Sequence, residues 1–177
     1  MMDNLGSIWY ARNIIRGDFI LLNGDTLFTA DVVKDLCATK NAPVTVAVSA
    51  KETYDEDDMK VILDGGCLRA VSKDLDLADV NAESIGMMLF RGEGSKLFKD
   101  EVVDAVEISK TNERYYLSVI DSLARKIDVQ ISEVDADNWC EVDYVEDLHA
   151  AQFAVKDWIS SSKEEVADTP AANANVA

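Results

Sequence analysis

About 120 positions apart, two apolar stretches run out on an aspartate: Leu21-Leu22-Asn23-Gly24-Asp25, and Trp139-Cys140-Glu141-Val142-Asp143 with Glu146-Asp147-Leu148 behind it. An apolar run that stops at a carboxylate suits an α/β sheet, where ligands gather beyond the carboxyl ends of the strands. Two such aspartates, each expected to end a strand at the same edge of one sheet, are candidate partners in one metal site. Magnesium takes one or two protein carboxylates and completes its shell with water and phosphate oxygens, so Asp25 and Asp143 are chemically sufficient. The pattern points to phosphate chemistry.

The rest of the chain supports that scaffold. Phe19-Ile20-Leu21-Leu22 is a short continuous apolar run, as expected of a buried parallel strand. A helix over Ala30 to Thr39 follows, then Pro43 breaks the chain before the β-branched run Val44-Thr45-Val46-Ala47-Val48, a second central strand. Lys60 to Leu63 and Cys67 to Val71 flank Asp64-Gly65-Gly66 and read as a β-hairpin, because the glycines permit positive φ. Ile85 to Phe90 reads as another interior strand in which Gly86 marks a close approach of backbone or ligand. Helical spacing covers Leu97 to Ile108 and Tyr116 to Lys126. Val129 to Val134 alternates as a half-exposed strand, and a last helix runs from Val145 to Ile159. Residues 1–159 form one domain in this reading, and the small, polar residues 160–177 a disordered tail.

Composition narrows the function. With 34 acidic against 17 basic residues the formal net charge is −17, which repels a nucleic-acid backbone. No apolar run is long enough to span a bilayer and the first residues lack the pattern of a signal peptide, so the cytoplasm is the expected compartment and no membrane partner is expected. Cys37, Cys67 and Cys140 are odd in number and unclustered, which argues for reduced, mostly buried thiols rather than a disulfide framework or zinc site.

Several segments in order carry a family likeness: Asn4-Leu5-Gly6-Ser7-Ile8, Asn23-Gly24-Asp25, Lys60, Val71-Ser72-Lys73, Glu83-Ser84-Ile85-Gly86, Tyr115-Tyr116 and Trp139-Cys140-Glu141-Val142-Asp143. Through them the chain resembles the sugar-phosphate nucleotidyltransferases, particularly the cytidylyltransferase branch that acts on phosphocholine-like and other small phosphorylated alcohols. The resemblance implies a three-layer α/β nucleotidyltransferase (Rossmann-like) sandwich with a mixed sheet. It implies magnesium (Mg2+) on Asp25 and Asp143, a nucleoside triphosphate, CTP by branch, near Asn23 and Gly24, and Lys73 as a catalytic phosphate-binding lysine. Lys60, Glu83, Gly86, Tyr116, Trp139 and Glu141 would bind the acceptor, with Trp139 and Tyr116 around a cationic head group. A homodimer is compatible with the same reading. Phosphoryl chemistry of this kind asks for positioning and charge neutralisation rather than a nucleophilic triad, and no triad is evident.

One departure stands out. The family begins with a strand and a glycine-rich loop that hold the triphosphate, and no such segment is present in these residues. The chain is expected to correspond to the later two thirds of the family fold, to bind triphosphate poorly by itself, and to leave a sheet edge open to self-association. A non-catalytic binding or assembly module derived from the fold is the alternative. A receiver domain would need an early acidic pair after a first strand, which Met1-Met2-Asp3-Asn4 does not supply. Each site residue also has a plain structural role: Asp25 as a turn cap, Asp143 as an N-cap with Glu146 completing a capping box, Asp147 as a first-turn acid, His149 as a surface residue.

Overall fold

The computed structural model describes residues 4–39, 42–108 and 115–168 of the chain. Helix α1 (Asn4–Ala11) leads into β1 (Phe19–Leu22) and β2 (Thr26–Phe28), followed by α2 (Ala30–Ala38) and β3 (Val44–Ser49). The hairpin β4 (Lys60–Asp64) and β5 (Cys67–Ser72) precedes β6 (Ala82–Phe90) and α3 (Gly94–Val103), which passes into a π-helical turn at Asp104–Ile108. Then come α4 (Leu117–Ala124), β7 (Val129–Glu133), a 3-10 turn, β8 (Trp139–Glu141) and α5 (Val145–Asp168).

Six strands form a mixed sheet in the order β1-β6-β3-β7-β5-β4, and the hairpin curls far enough for β4 also to meet the start of β6. β3 and β7 are parallel and the other neighbours antiparallel. Alternation along the strands makes three layers. On one face Val44, Val46, Val48, Met88 and Phe90 pack with Leu5 of α1, Phe98 of α3 and Ile120 of α4. On the other Ala47, Ile85, Met87 and Leu89 pack with Val32 and Leu36 of α2. Every residue of β6 is buried, so its nine positions serve both clusters, as a central strand covered by helices on both faces requires.

The hairpin turn is as expected: Gly65 and Gly66 have φ of 60° and 78°, the pair of positive angles that a two-residue type I′ connection demands. Other expectations need correction. β1 is neither parallel nor fully buried; it is the edge of the sheet, antiparallel to β6, with Ile20 and Leu22 each 39% exposed. An apolar tetrapeptide has the same composition whether one or two neighbours cover it, which is why the edge was not legible. β6 lies between β1 and β3. The last helix continues past Ile159 to Asp168, so the first part of the expected tail is helical, and residues 169–177 lie outside the described residues. Cys37 is exposed, on the outer side of α2.

β6 also carries a bulge. Val46 pairs with Met88 and Val48 with Ser84, which leaves Ala47 alone opposite Ile85-Gly86-Met87. Gly86 takes up the extra length at φ 72°, a left-handed conformation that favours glycine.

Candidate functional site

The segments that carry the two aspartates are joined, but not at the edge of one sheet. Asp25 lies in the turn between β1 and β2, and Asp143 lies just beyond β8. β2 and β8 form their own antiparallel ribbon, pairing Thr26 with Glu141, Leu27 with Cys140 and Phe28 with Trp139. The ribbon is prolonged by the Val142 amide, which donates to the Asp25 carbonyl at 3.1 Å. Asp25 and the residue preceding Asp143 are therefore held backbone to backbone, and both aspartates are exposed.

Glu141 registers the crowding of charge. Burial, then the charges of Asp143 and Asp25, then those of Glu83 and Asp58, push its carboxyl up to about 7. Burial and like charge both disfavour ionisation, so they act in the same direction here. The same field reaches Tyr116, whose phenol is raised far above its ordinary value by burial and then by Glu141 and Asp25.

Behind the aspartates the ribbon is anchored to the bulge. The Asn23 amide donates to the Gly86 carbonyl at 2.9 Å, and the Tyr116 hydroxyl donates to Asn23 Oδ1 at 2.9 Å, with the Gly86 carbonyl 3.4 Å away. Thr26 Oγ1 donates to the Ile85 carbonyl at 3.2 Å. A Cβ added to Gly86 would stand 2.4 Å from Asn23 Nδ2, so glycine is needed for close approach as well as for φ. Nothing lies within 4 Å of a Cβ at Gly24, whose glycine has no such packing role.

A charged cluster adjoins the ribbon. Lys51 Nζ lies 2.7 Å from Asp58 and 2.9 Å from Glu83, and Glu83 is only 7% exposed. Burial raises the Glu83 carboxyl more than Lys51 lowers it. Burial alone would lower Lys51, but its hydrogen bonds to Asp58 and Glu83 prevail and raise it. Asp58 is held low by Lys51 and by the Asp55 amide in spite of its own burial. Lys51 and Asp58 were missed in the sequence: Lys51 is merely two positions past β3, and Asp58 ends the acidic run Asp55-Glu56-Asp57-Asp58, which has the composition of a solvated loop.

Other expected site residues have different surroundings. Lys60 is 4% exposed and its ammonium donates to the Lys73 carbonyl at 2.8 Å and the Glu56 carbonyl at 3.4 Å. It ties the hairpin to the 51–58 loop instead of offering a free charge to a ligand. Lys73 is more available: its ammonium lies 3.4 Å from Asp57 and 5.1 Å from the centre of the Tyr115 ring. Trp139 and Tyr116 do not form a cage. Tyr116, 2% exposed, belongs to the cluster beneath α4, whereas Trp139 packs against the cluster beneath α2 on the opposite face of the sheet. The cap of α5 also differs from the expected capping box. Asp147, not Glu146, accepts from the amides of Asp143 and Tyr144 at 3.1 and 2.8 Å, satisfying helix N-terminal donors and fixing the chain at Asp143.

Among the described residues no three His, Cys, Asp or Glu side chains come together as a protein-only metal cage. Two exposed carboxylates at the ribbon, Asp25 and Asp143, fit a hard divalent ion that keeps water and phosphate oxygens in its shell.

No family model matches the chain, and no curated protein matches it. Solved structures do. The inositol-1-phosphate CTP transferase from T. maritima superposes with a TM-score of 0.66 at 18% identity, over 82% of this chain and 58% of that one. The CTP:phosphocholine cytidylyltransferase LicC from Streptococcus pneumoniae gives 0.65 at 13% identity, over 87% and 64%. A putative glucose-1-phosphate thymidylyltransferase from Bacillus anthracis gives 0.60 at 12% identity, over 83% and 58%. The likeness at these identities is one of fold, and the chain spans less than two thirds of the length of each. The three-layer α/β sandwich that the family resemblance implied is thus observed as the nucleotidyltransferase fold.

Proposed function

We propose that this chain, built on the nucleotidyltransferase fold, carries the metal- and acceptor-binding part of a site that moves a nucleotidyl group onto a small phosphorylated alcohol. The observation that supports the reading is the β2–β8 ribbon, in which the Val142 amide, one residue before Asp143, bonds the Asp25 carbonyl. In this reading an acceptor phosphate oxygen forms a bond to the α-phosphorus of a nucleoside triphosphate, CTP by likeness to the cytidylyltransferases. The bond from that phosphorus to the bridging oxygen breaks, and pyrophosphate leaves with its electron pair. Asp25 and Asp143 would hold a magnesium ion, which supplies neutralisation of the phosphate charge when bound. Lys73, partly exposed and paired with exposed Asp57, can turn to an acceptor phosphate. Asn23 and Gly86 fix the position of Asp25, and Asp147 fixes Asp143.

Mn2+ titration followed by electron paramagnetic resonance, with and without CTP, tests the reading. Asp25→Asn and Asp143→Asn should each weaken binding by about tenfold or more, the loss expected when a charged ligand is removed. Unaltered Mn2+ affinity in the double variant would refute the shared metal site. Metal binding without any nucleotide affinity would favour a non-catalytic binding module.

A further inference from the structure

Different segments bring charge to the start of β6. Glu83 pairs in register with Ser49 at the end of β3 and with Lys60 at the start of β4. Lys51 returns to it from two residues past β3, and Asp58 comes from the loop before β4. The Lys51 ammonium meets Asp58 at 2.7 Å and Glu83 at 2.9 Å, and the side chains of Lys51, Asp58 and Glu83 are 33%, 16% and 9% exposed. Glu83 is thus nearly out of water while Lys51 keeps one side toward it. The cluster adjoins the ribbon, since the charges of Glu83 and Asp58 reach Glu141 together with those of Asp143 and Asp25.

Charges taken out of water are costly unless their remaining hydrogen-bonding capacity is also met, so what this cluster leaves over is informative. Asp58 is well served: its Oδ2 accepts from the Asp55 amide at 2.6 Å as well as from Lys51. Lys51 has three N–H donors and directs two of them to Asp58 and Glu83, whereas Glu83 accepts from Lys51 on one oxygen, Oε2, of a carboxylate that can take about four hydrogen bonds. A donor on Lys51 and lone pairs on Glu83 therefore stand side by side. A hydroxyl, donor and acceptor at once, matches such a pair. A quaternary ammonium can do neither, and it would set a second cation beside Lys51. Nor is there an aromatic box to receive one, because Tyr116 and Trp139 lie against opposite faces of the sheet.

We propose that Lys51 determines acceptor specificity: with Glu83 it receives a hydroxyl of a small polyol phosphate, Lys51 donating to the hydroxyl oxygen and Glu83 accepting from its O–H, and so selects a polyol over a quaternary-ammonium head group. Asp58 is a positioning residue that holds the Lys51 ammonium in place. The inference rests on the transferase reading, whose acceptor class it narrows. A site built to hydrogen-bond a hydroxyl rejects an analogue that lacks one, because its own polar groups are then left unpaired.

NMR titration of the full chain in saturating Mg2+ tests this with sn-glycerol 3-phosphate, propyl phosphate and phosphocholine, which share a phosphate on a short chain. The glycerol phosphate should bind about tenfold or more tighter than the other two, as expected for hydrogen bonds to charged groups, and should shift the amides of Lys51 and Glu83. In Lys51→Met its preference over propyl phosphate should vanish while propyl phosphate affinity stays as in the parent. A loop merely loosened by loss of the ion pair would weaken all three ligands alike, and that result would overturn the proposal. An undiminished preference in Lys51→Met, or phosphocholine bound as tightly as the glycerol phosphate by the parent, would overturn it too. Equal affinity for all three would remove the selection and leave an acceptor phosphate site standing, whereas no binding of any of them would refute the acceptor site and this selection with it.

Discussion

Glu141→Gln separates electrostatics from packing at the ribbon. An acid whose folded pKa lies above its unfolded value favours folding at low pH, and that contribution is lost as pH rises through the folded pKa. For Glu141 the window runs from the ordinary 4.5 to about 7. Its full value would be about 3.4 kcal/mol, at about 1.36 kcal/mol per pH unit. The carboxyl is only half-buried, so solvent screening reduces the expected effect to about 1–2 kcal/mol. Glutamine is uncharged at every pH and similar in shape to the protonated acid. The variant should therefore match the parent in stability at pH 4.5 and exceed it by about 1–2 kcal/mol at pH 8, a rise of about 3–6 °C in Tm for a domain of this size. Urea denaturation of both proteins at the two pH values measures it. A difference independent of pH, or greater stability of the parent at pH 8, would refute the account of Glu141. Neutralising its neighbours in Asp25→Asn/Asp143→Asn should move the Glu141 titration, followed by carboxyl NMR, toward the ordinary range.

Other substitutions probe the supports of the site. A Cβ at Gly94 would lie 1.8 Å from the Pro43 carbonyl oxygen, so Gly94→Ala should cost about 3 kcal/mol or more in urea unfolding, at the upper end of overpacking penalties. Gly86→Ala meets both a positive φ and Asn23, and should lose about 2–4 kcal/mol together with Mn2+ affinity, because Asn23 leads directly to Asp25. Tyr116→Phe removes the donor to Asn23 and should cost about 0.5–1.5 kcal/mol in the same unfolding assay. Lys51→Met leaves Glu83 and Asp58 facing each other without their cation, and hydrogen exchange should speed at residues 51–58 while α3 and α4 stay protected.

What could be read in the residues was local. β3 is β-branched, the hairpin carries two adjacent glycines, and Gly86 interrupts an apolar run, so each announces itself within a few positions. β2 and β8 do not. Each has three residues, and Thr26-Leu27-Phe28 has no period long enough to register; its pairing with Trp139-Cys140-Glu141 joins segments distant in sequence. The two aspartates were therefore legible as candidates while the element that joins their segments was not. The burial of Lys60 escaped for a related reason. A lysine at the start of a hairpin reads as a surface charge, and only the carbonyls of Glu56 and Lys73, arriving from two loops, make its burial tolerable.

The ribbon itself is slight: three residue pairs, outside the main sheet, with distant ends of the chain on either strand. A two-stranded element of this length is only marginally stable alone, and contacts between distant segments form slowly because they close long loops. Asp25 and Asp143 will accordingly be among the last groups to find one another when the chain folds. They will also be among the first to part in brief local openings, while β6 and the two core clusters stay closed. Under the proposed function, an ion that bridged them would act as a clasp, since whatever free energy it gained by binding would be added to the stability of the ribbon.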